Sequence, residues 1–407
     1  MTPEQRAAEF DAADPLARYR DSFTLPEGVI YLDGNSLGAL PKATPGRMQA
    51  VVAQEWGEGL IRSWNSAHWF EAAGRVGGKI APLIGASPHE VIACDSTSVN
   101  LFKLIAAALA MRPGRKVVLS EPGNFPTDLY MIAGLEAQGL AERRLAERGR
   151  LEAALDSDVA LLMLTHVHYK TGGLHDMVAL TRAAHEAGAL VLWDLSHSTG
   201  ALPVDLNGVA ADFAVGCGYK YLCGGPGAPA FAFVAERHHA DLQQPLTGWF
   251  GHAAPFAFTD DYTGAPGIDR LQCGTPPVLG LAALEVGVDL IAEIGVDRLY
   301  AKSQALSEFL LECLMAHDVD IELVSPPRSA ERGSQLSFRH PDAYAICQAL
   351  IARGVIGDFR APDVLRLGFA PAYLSFTDIA AAARHLAEVL ASGEWQRPAF
   401  RQRAAVT

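Results

Sequence analysis

The chain has 407 residues, 50% of them hydrophobic, and carries 46 acidic against 33 basic side chains. Its formal net charge of −13 argues against electrostatic binding of nucleic acid or of an anionic membrane over a broad surface. A small anionic ligand, however, needs only a local group of hydrogen-bond donors. The length and apolar content suffice for roughly two or three domains and exclude collagen, coiled-coil and disordered chains.

In chain order, a loop-rich N-terminal segment is followed by short β-rich runs that alternate with amphipathic helical runs. This alternation predicts an α/β fold with a mostly parallel sheet. The predicted buried strands are continuous apolar runs, as expected for strands covered on both faces; they span residues 116–119, 159–165, 189–195, 213–216 and 230–234. Capping side chains and terminal glycines or prolines predict helices at residues 98–111, 177–186 and 278–294.

The pattern changes after residue 294 to a smaller set of elements. Strands are predicted at residues 320–324, 334–338 and 364–368, and helices at residues 342–353 and 376–390. We interpret this set as a separate C-terminal α+β domain. The predicted organisation is an N-terminal segment (1–56) that packs across both domains, a large α/β domain (57–295) and a small domain (296–407).

The sequence also predicts a cytoplasmic location. Its apolar stretches are far shorter than the roughly 20 residues that cross a bilayer. The first 20 residues lack the apolar core of a secretory signal. The six cysteines show no paired CxxC spacing, which is typical of reduced intracellular thiols rather than disulfides or zinc ligands.

A lysine and an aspartate occupy the ends of neighbouring predicted strands. Asp194 ends one strand, and Lys220 follows the next. Ligands of open α/β sheets bind at this carboxyl edge. A lysine there, beside Tyr219 and before a glycine-rich turn, is suited to form a Schiff base, and a facing carboxylate is suited to a protonated pyridine nitrogen. The pair indicates pyridoxal 5'-phosphate (PLP) as cofactor; the alternative is a helix-capping Asp194 and a solvated Lys220.

Two further runs could complete a cofactor site at the same edge. Thr97 and Ser98 supply hydroxyls and free N–H groups at a predicted helix N-terminus, where a phosphate can bind, although an ordinary N-cap explains the same residues. The FPTD run places Phe125 and Asp128 just after a predicted strand. Phe125 could stack on a cofactor ring or serve as a loop anchor.

A metal-dependent hydrolase is a competing interpretation. His166 and His168 are two residues apart at a strand end, so both rings face one side, and His175 follows. However, the chain continues as YKTGGLHD into a predicted helix, and no further ligand set appears at matching strand ends. We therefore expect no metal site.

Seven motifs occur in order between Tyr31 and Pro371: YLDGNSLG, RSWN, FPTD, THVHYKTG, WDLSHSTGALPVDL, GCGYKYLCGGPGAPAF and LRLGFAP. Together they resemble the kynureninase family of PLP-dependent enzymes. The resemblance implies PLP-dependent transferase fold type I, the aspartate aminotransferase fold, and hydrolytic Cβ–Cγ cleavage of L-kynurenine to anthranilate and L-alanine in tryptophan catabolism. One departure is Cys223, where many relatives have asparagine in the turn after the lysine.

The resemblance also assigns roles to residues. Lys220 matches the imine-forming lysine, Asp194 the partner of the ring nitrogen, and Tyr219 a phosphate ligand suited to proton transfer. Further implied cofactor contacts are Thr97, Ser98, Phe125, Asp128, Thr165 and His197, with Trp249 and Thr275 reaching in from the neighbouring subunit of a homodimer. The implied substrate contacts are Arg366, Ser36 and Trp64.

In the implied reaction, Arg366 clamps the substrate α-carboxylate, for which its planar fork is suited. Lys220 acts as the base, and Tyr219 moves a proton because nearby donors are expected to favour its ionised form. Trp64 and Thr275 favour kynurenine over 3-hydroxykynurenine. The nearest alternative within this fold is a cysteine desulfurase or selenocysteine lyase, which needs a cysteine on a flexible late loop. Cys313 and Cys347 instead lie in apolar helical runs.

Overall fold

The computed structural model describes residues 1–403 and contains two main β-sheets, one of seven strands and one of four. Within residues 1–403 no helix is long and apolar enough to cross a membrane. The last four residues of the predicted small domain, 404–407, lie outside the described residues. The division into these three parts stays a prediction.

The N-terminal segment is more regular than its loop-rich sequence predicts. Its elements are α1 (Pro3–Ala13), β1 (Phe23–Thr24), β2 (Ile30–Tyr31), β3 (Leu40–Pro41) and α2 (Thr44–Ala50), followed by a π-helix (Val51–Gly59). Helix α1 begins at Pro3 because Thr2 and Gln5 form a reciprocal capping box. The Asp11 carboxylate accepts the Phe376 N–H, which ties this segment to the C-terminal part of the chain. The Gly38 N–H donates to the Tyr219 carbonyl at 2.8 Å, which ties it to the predicted site.

The seven-stranded sheet consists of β4 (Val91–Ala93), β5 (Val117–Ser120), β6 (Glu142–Leu145), β7 (Val159–Thr165), β8 (Leu190–Asp194), β9 (Phe213–Gly216) and β10 (Phe231–Val234). Their spatial order is β4-β10-β9-β8-β7-β5-β6. Strands β5 to β9 pair in parallel, which confirms the mostly parallel sheet. Strand β10 is antiparallel to both neighbours, although the sequence predicted a parallel strand there. No helix lies between β9 and β10 in the chain. A connection without such a crossover helix reverses the chain direction, so the two neighbouring strands are antiparallel.

Six helices precede, separate or follow these strands in the chain: α3 (Ser63–Ser66), α4 (Ala72–Ile80), α5 (Thr97–Met111), α6 (Pro126–Ala137), α7 (Met177–Glu186) and α8 (Val278–Ile294). Helix α5 begins at Thr97 because the Ser96 hydroxyl accepts the Val99 N–H, and α7 begins where the Asp176 carboxylate accepts the Ala179 N–H. Every residue of β7, β8 and β9 is buried. Polar chemistry is therefore confined to the ends of these strands.

The C-terminal part consists of α9 (Val296–Ala316), β11 (Glu322–Leu323), β12 (Gln335–Arg339), α10 (Ala343–Ala352), β13 (Val355–Ile356), β14 (Asp358–Arg360), β15 (Val364–Gly368), α11 (Phe376–Ser392) and α12 (Pro398–Arg401). Its antiparallel sheet has the order β11-β12-β15-β14. Strand β14 was not predicted from the sequence. It places Asp358 directly opposite Arg366 on β15. Strand β13 pairs with β2, so the N-terminal segment lies beside this sheet.

Candidate active site

The predicted cofactor residues converge at the carboxyl edge of the seven-stranded sheet. Thr165 ends β7 and pairs with Asp194, which ends β8. Lys220 follows β9, the strand next to β8. All three side chains are buried. The parallel pairing of β7, β8 and β9 therefore produces the convergence that the strand-end argument predicted.

Lys220 lies against a neutral imidazole. Its Nζ is 3.0 Å from Nε2 of His197 and 5.8 Å from the centroid of the Phe125 ring. Burial, followed by the charge of Lys220, holds the pKa of His197 well below its usual range. The Nδ1 atom of His197 is buried without a hydrogen-bond partner among residues 1–403. The imidazole is therefore uncharged and has one ring nitrogen free.

Two buried carboxyls face this lysine. Oδ1 of Asp194 accepts hydrogen bonds from the Ser196 N–H at 2.8 Å and the Ser196 hydroxyl at 2.5 Å. Asp128 is fully buried, and within residues 1–403 neither of its carboxyl oxygens has a partner. Burial, and then the charge of Asp194, raises the pKa of Asp128 well above its usual range, and burial also raises the pKa of Asp194. Such unsatisfied buried acceptors are costly unless a donor or cation joins them.

These acceptors fit the cofactor that the sequence predicts. A protonated pyridine nitrogen is a donor and a cation, and among the described residues Asp128 has no hydrogen-bond partner for either carboxyl oxygen. Phe125 lies at the same end of the sheet and contacts the Tyr169 ring edge-on at 5.3 Å. Thr165 is held by Asn124, whose Oδ1 accepts the Thr165 hydroxyl at 2.6 Å. The sequence analysis missed Asn124, although it immediately precedes the FPTD motif.

Thr97 and Ser98 lie in the first turn of the 15-residue helix α5, where N–H groups are free to bind an anion. Tyr219 precedes Lys220 and is half-buried. Burial, followed by the Cys217 thiol, raises the pKa of Tyr219. In the protein alone, burial therefore favours the neutral phenol over the phenolate. The expected ionisation next to a bound cofactor stays a prediction.

The turn after Lys220 contains Cys223. This residue has a φ of 53°, in the left-handed region that asparagine tolerates well. Its N–H donates to the Lys220 carbonyl at 2.9 Å. The turn with the cysteine is therefore hydrogen-bonded directly to the lysine.

Arg366 is buried, and each of its three guanidinium nitrogens donates a hydrogen bond. Its Nε donates to Oδ1 of Asp358 at 2.8 Å, and Nη2 donates to Oδ2 of the same carboxylate. Nη2 also donates to the Ser36 hydroxyl at 2.7 Å, and Nη1 to the Tyr169 carbonyl at 2.7 Å. The charge of Arg366 acts on His197, which links this group to Lys220. The sequence analysis predicted Arg366 and Ser36 but missed Asp358, whose only signal is its position two residues before Arg360 in the GDFR run.

Trp64 is half-buried, whereas Trp249 and Thr275 lie at the surface of the single chain. Trp249 is 41% exposed, and Thr275 is exposed. The Trp64 ring contacts the Phe250 ring at 5.5 Å, and Phe250 contacts Trp249 at 4.9 Å. These two tryptophans therefore belong to one aromatic surface patch.

The histidines of the metal-hydrolase interpretation each have a protein partner. The His166 ring bonds with the Ser198 hydroxyl at 2.9 Å, the His168 ring with the Gly123 carbonyl at 3.0 Å, and the His175 ring with Glu121 at 2.7 Å. In the part of the chain that the structure describes, no group of three or more His, Cys, Asp or Glu side chains could hold a metal ion. The geometry gives that interpretation no support.

The cysteines considered for desulfurase chemistry are buried. Cys313 lies in α9 and Cys347 in α10. Burial raises the pKa of Cys313 to about 11 and raises that of Cys347 as well. A protonated, buried thiol is a poor nucleophile.

Known proteins support the family suggested by the motifs. Residues 299–386 match the family model described as kynureninase C-terminal domain. The chain is 49% identical to a kynureninase from Burkholderia mallei and 49% identical to one from Pseudomonas fluorescens, in each case over 100% of both chains.

Solved structures with lower identity share the PLP-dependent type I fold. A cysteine desulfurase from Thermococcus onnurineus superimposes with a TM-score of 0.78 at 20% identity, covering 92% of this chain and 98% of that one. A variant of the enzyme C-DES, with glycine covalently linked to its PLP cofactor, gives 0.79 at 16% identity, covering 90% and 98%.

Proposed function

The chain belongs to the kynureninase family, and we propose that it hydrolyses the Cβ–Cγ bond of L-kynurenine to release anthranilate and L-alanine. The observation that carries this proposal is the buried group of Lys220, Asp194 and Asp128, with the charge of the buried Arg366 acting on His197 beside Lys220. A cationic ring nitrogen would offset the cost of burying the two carboxyls, and Arg366 suits an amino-acid substrate.

When bound, PLP supplies an aldehyde that condenses with amines and a ring that withdraws electrons. Asp194, with Asp128 nearby, would hold the ring nitrogen in its protonated form, and Phe125 would pack on the ring. Thr97, Ser98 and Tyr219 would bind the phosphate. Thr165 and His197 would complete the cofactor contacts.

The chain's own groups then handle the substrate and the protons. Arg366 and Ser36 bind the α-carboxylate, which fixes the α-carbon next to Lys220. The Lys220 amine removes the α-proton, assisted by the neutral His197 ring 3.0 Å away, and returns a proton to the α-carbon before alanine leaves. Water provides the hydroxyl that joins Cγ and becomes part of anthranilate, while Cβ receives a proton from Tyr219 and becomes the methyl group of alanine.

The reaction and the lysine are tested together. The purified holoenzyme should release fluorescent anthranilate from L-kynurenine. After borohydride reduction, mass spectrometry should find the pyridoxyl adduct on Lys220, and Lys220→Ala should lose both the adduct and the activity. Lys103 is the matched control, because it is also buried but pairs with Asp95. An adduct on Lys103, or sulfide release from cysteine with no anthranilate from kynurenine, would contradict the proposal.

The proposal includes a homodimer with shared active sites. The patch around Trp249 exposes large apolar rings, including Phe256 at 62% and Phe258 at 77%. Burying such rings against a second copy is favourable, and a C₂ interface presents the patch twice. Trp249 and Thr275 would then reach the partner's cofactor. Trp64 would line the aryl pocket from the same patch and, with Thr275, favour kynurenine over 3-hydroxykynurenine.

The shared site is tested by mixing two inactive chains, Lys220→Ala and the double variant Trp249→Ala with Thr275→Ala. Each hybrid dimer would contain one site with every native residue. Random exchange should restore roughly a quarter of the native sites. If mass measurements confirm exchange and activity stays at the sum of the two parents, the sites are not shared. A cytoplasmic location belongs to the same proposal, supported by six cysteines that are all free.

A further inference from the structure

The carboxylate clamp contains a second arginine. Nη2 of Arg360 donates to Oδ2 of Asp358 at 2.5 Å and to the Ser36 hydroxyl at 3.1 Å. The Ser36 hydroxyl in turn donates to Oδ2 of Asp358 at 2.8 Å. Arg360 and Arg366 therefore share the same two partners. The charge of Arg360 also acts on His197 and Tyr219, two of the predicted cofactor residues.

A second carboxyl, Asp33, lies against this group. Asp33 bridges to Gly368, the last residue of β15 and two residues from Arg366, and its carboxyl interacts with Asp358 and Ser36. Its Oδ1 atom is buried without a hydrogen-bond partner among residues 1–403. Two carboxyls in such contact cannot both ionise at low cost, because like charges repel strongly where water is excluded.

The two carboxyls respond in opposite directions. Burial would raise the pKa of Asp358, but the charge and hydrogen bonds of Arg366, followed by the charge of Arg360, outweigh it and lower the pKa. Burial, followed by the charge of Asp358, raises the pKa of Asp33 to about 7. The titratable and charged groups that interact with Asp33 are Asp358, Arg366, Arg360, Tyr31, Tyr221, Tyr373 and Cys347. Tyr31, Tyr221, Tyr373 and Cys347 stay neutral near pH 7 because burial raises the pKa of each.

We propose that Asp33 and Asp358 share one proton, and that this proton sets the net charge of the two-arginine clamp and thereby its affinity for a carboxylate. This inference rests on the proposed function of Arg366. With Asp33 protonated, two arginines face one carboxylate, and one positive charge remains for the substrate. With Asp33 ionised, the four charges cancel and the attraction is lost. Binding of a carboxylate must therefore take up a proton, because a new anion disfavours a second ionised carboxyl beside it.

The test uses 4-oxo-4-phenylbutanoate, an aryl ketone with a carboxylate and no amino group, and its uncharged primary amide. Calorimetry of the holoenzyme in two buffers of different ionisation enthalpy measures affinity and proton uptake together. For the wild type, the dissociation constant of the acid should rise about five- to tenfold from pH 6 to pH 8, with uptake of about half a proton per site at pH 7. The amide should show neither effect.

Asp33→Asn mimics the protonated carboxyl and is the decisive variant. It should bind the acid at pH 8 as tightly as the wild type does at pH 6, without proton uptake. Asp158→Asn, an exposed carboxylate elsewhere in the chain, should keep the wild-type behaviour. The inference is overturned if Asp33→Asn retains the pH dependence, or if the wild type takes up no proton on binding the acid. Anthranilate release from L-kynurenine by the same wild-type preparation tests the proposed function separately, so the two failures are distinguishable.

Discussion

Replacing Asp358 by asparagine should weaken both the fold and the clamp, because Asp358 is the main partner of a buried arginine. The side chains of Arg366 and Asp358 are 1% and 2% exposed, and the carboxylate accepts from both Nε and Nη2. Removing one partner of a buried ion pair costs about 3–5 kcal/mol. The amide keeps one acceptor, and Asp33 can take over part of the charge, so we expect about 3 kcal/mol.

The same substitution should reduce kcat/KM for L-kynurenine at least roughly tenfold. Arg366 loses a charge-assisted hydrogen bond that is worth about 1.5–3 kcal/mol for its orientation, and about 1.4 kcal/mol corresponds to a factor of ten. Most of the loss should appear in KM, because the clamp contacts the substrate carboxylate and not the cofactor.

Urea unfolding followed by tryptophan fluorescence measures the first effect, and anthranilate fluorescence measures the second. Asp363→Asn is the matched control, because Asp363 pairs with Arg339 at 3.3 Å on the same sheet with side chains that are 32% and 45% exposed. An exposed pair of this kind contributes about 0.2–1 kcal/mol. If the two variants lose similar stability, or if Asp358→Asn leaves KM unchanged, the argument for a positioned clamp is refuted.

Three further outcomes are expected. Arg366→Lys should raise KM for L-kynurenine by at least about tenfold and leave the cofactor absorption spectrum unchanged, because lysine keeps the charge but not the two-pronged geometry; a changed spectrum with normal KM would assign Arg366 to the cofactor. Cys313→Ala and Cys347→Ala should each retain kynurenine cleavage within about twofold, since buried thiols with raised pKa take no part in the reaction; loss of activity in folded protein would reopen the desulfurase interpretation. Burial opposes ionisation of Asp212, but hydrogen bonds from His185 and His238 outweigh the effect of burial and lower the pKa of Asp212. The stability advantage of wild type over Asp212→Asn should therefore be full above about pH 5 and shrink as the pH falls below about 4; a gap in urea midpoint that is constant down to pH 3 would show that ionised Asp212 is not the source.

The sequence alone determined the elements whose signals are local. Continuous apolar runs gave strands at residues 159–165 and 213–216, and capping residues with a terminal glycine gave the helix at 177–186. Because parallel strands end at one edge, the order of these elements was also enough to predict that Asp194 and Lys220 lie together. The seven motifs, which depend only on residue order, pointed to the family that full-length relatives support.

Tertiary structure decided the features that depend on contacts between distant segments. Strand β10 is antiparallel to β9 because the connection between them contains no crossover helix. The apolar composition of β10 does not reveal this direction. Asp128 lacks a partner only because the folded chain buries it beside Asp194. Asp33 and Asp358 are more than 300 residues apart in the sequence, and only the pairing of β14 with β15, with Asp33 bridged to Gly368, brings both to Arg366. Local patterns record which side chains a strand or helix presents, whereas the charge of a buried group depends on which distant side chains exclude water around it.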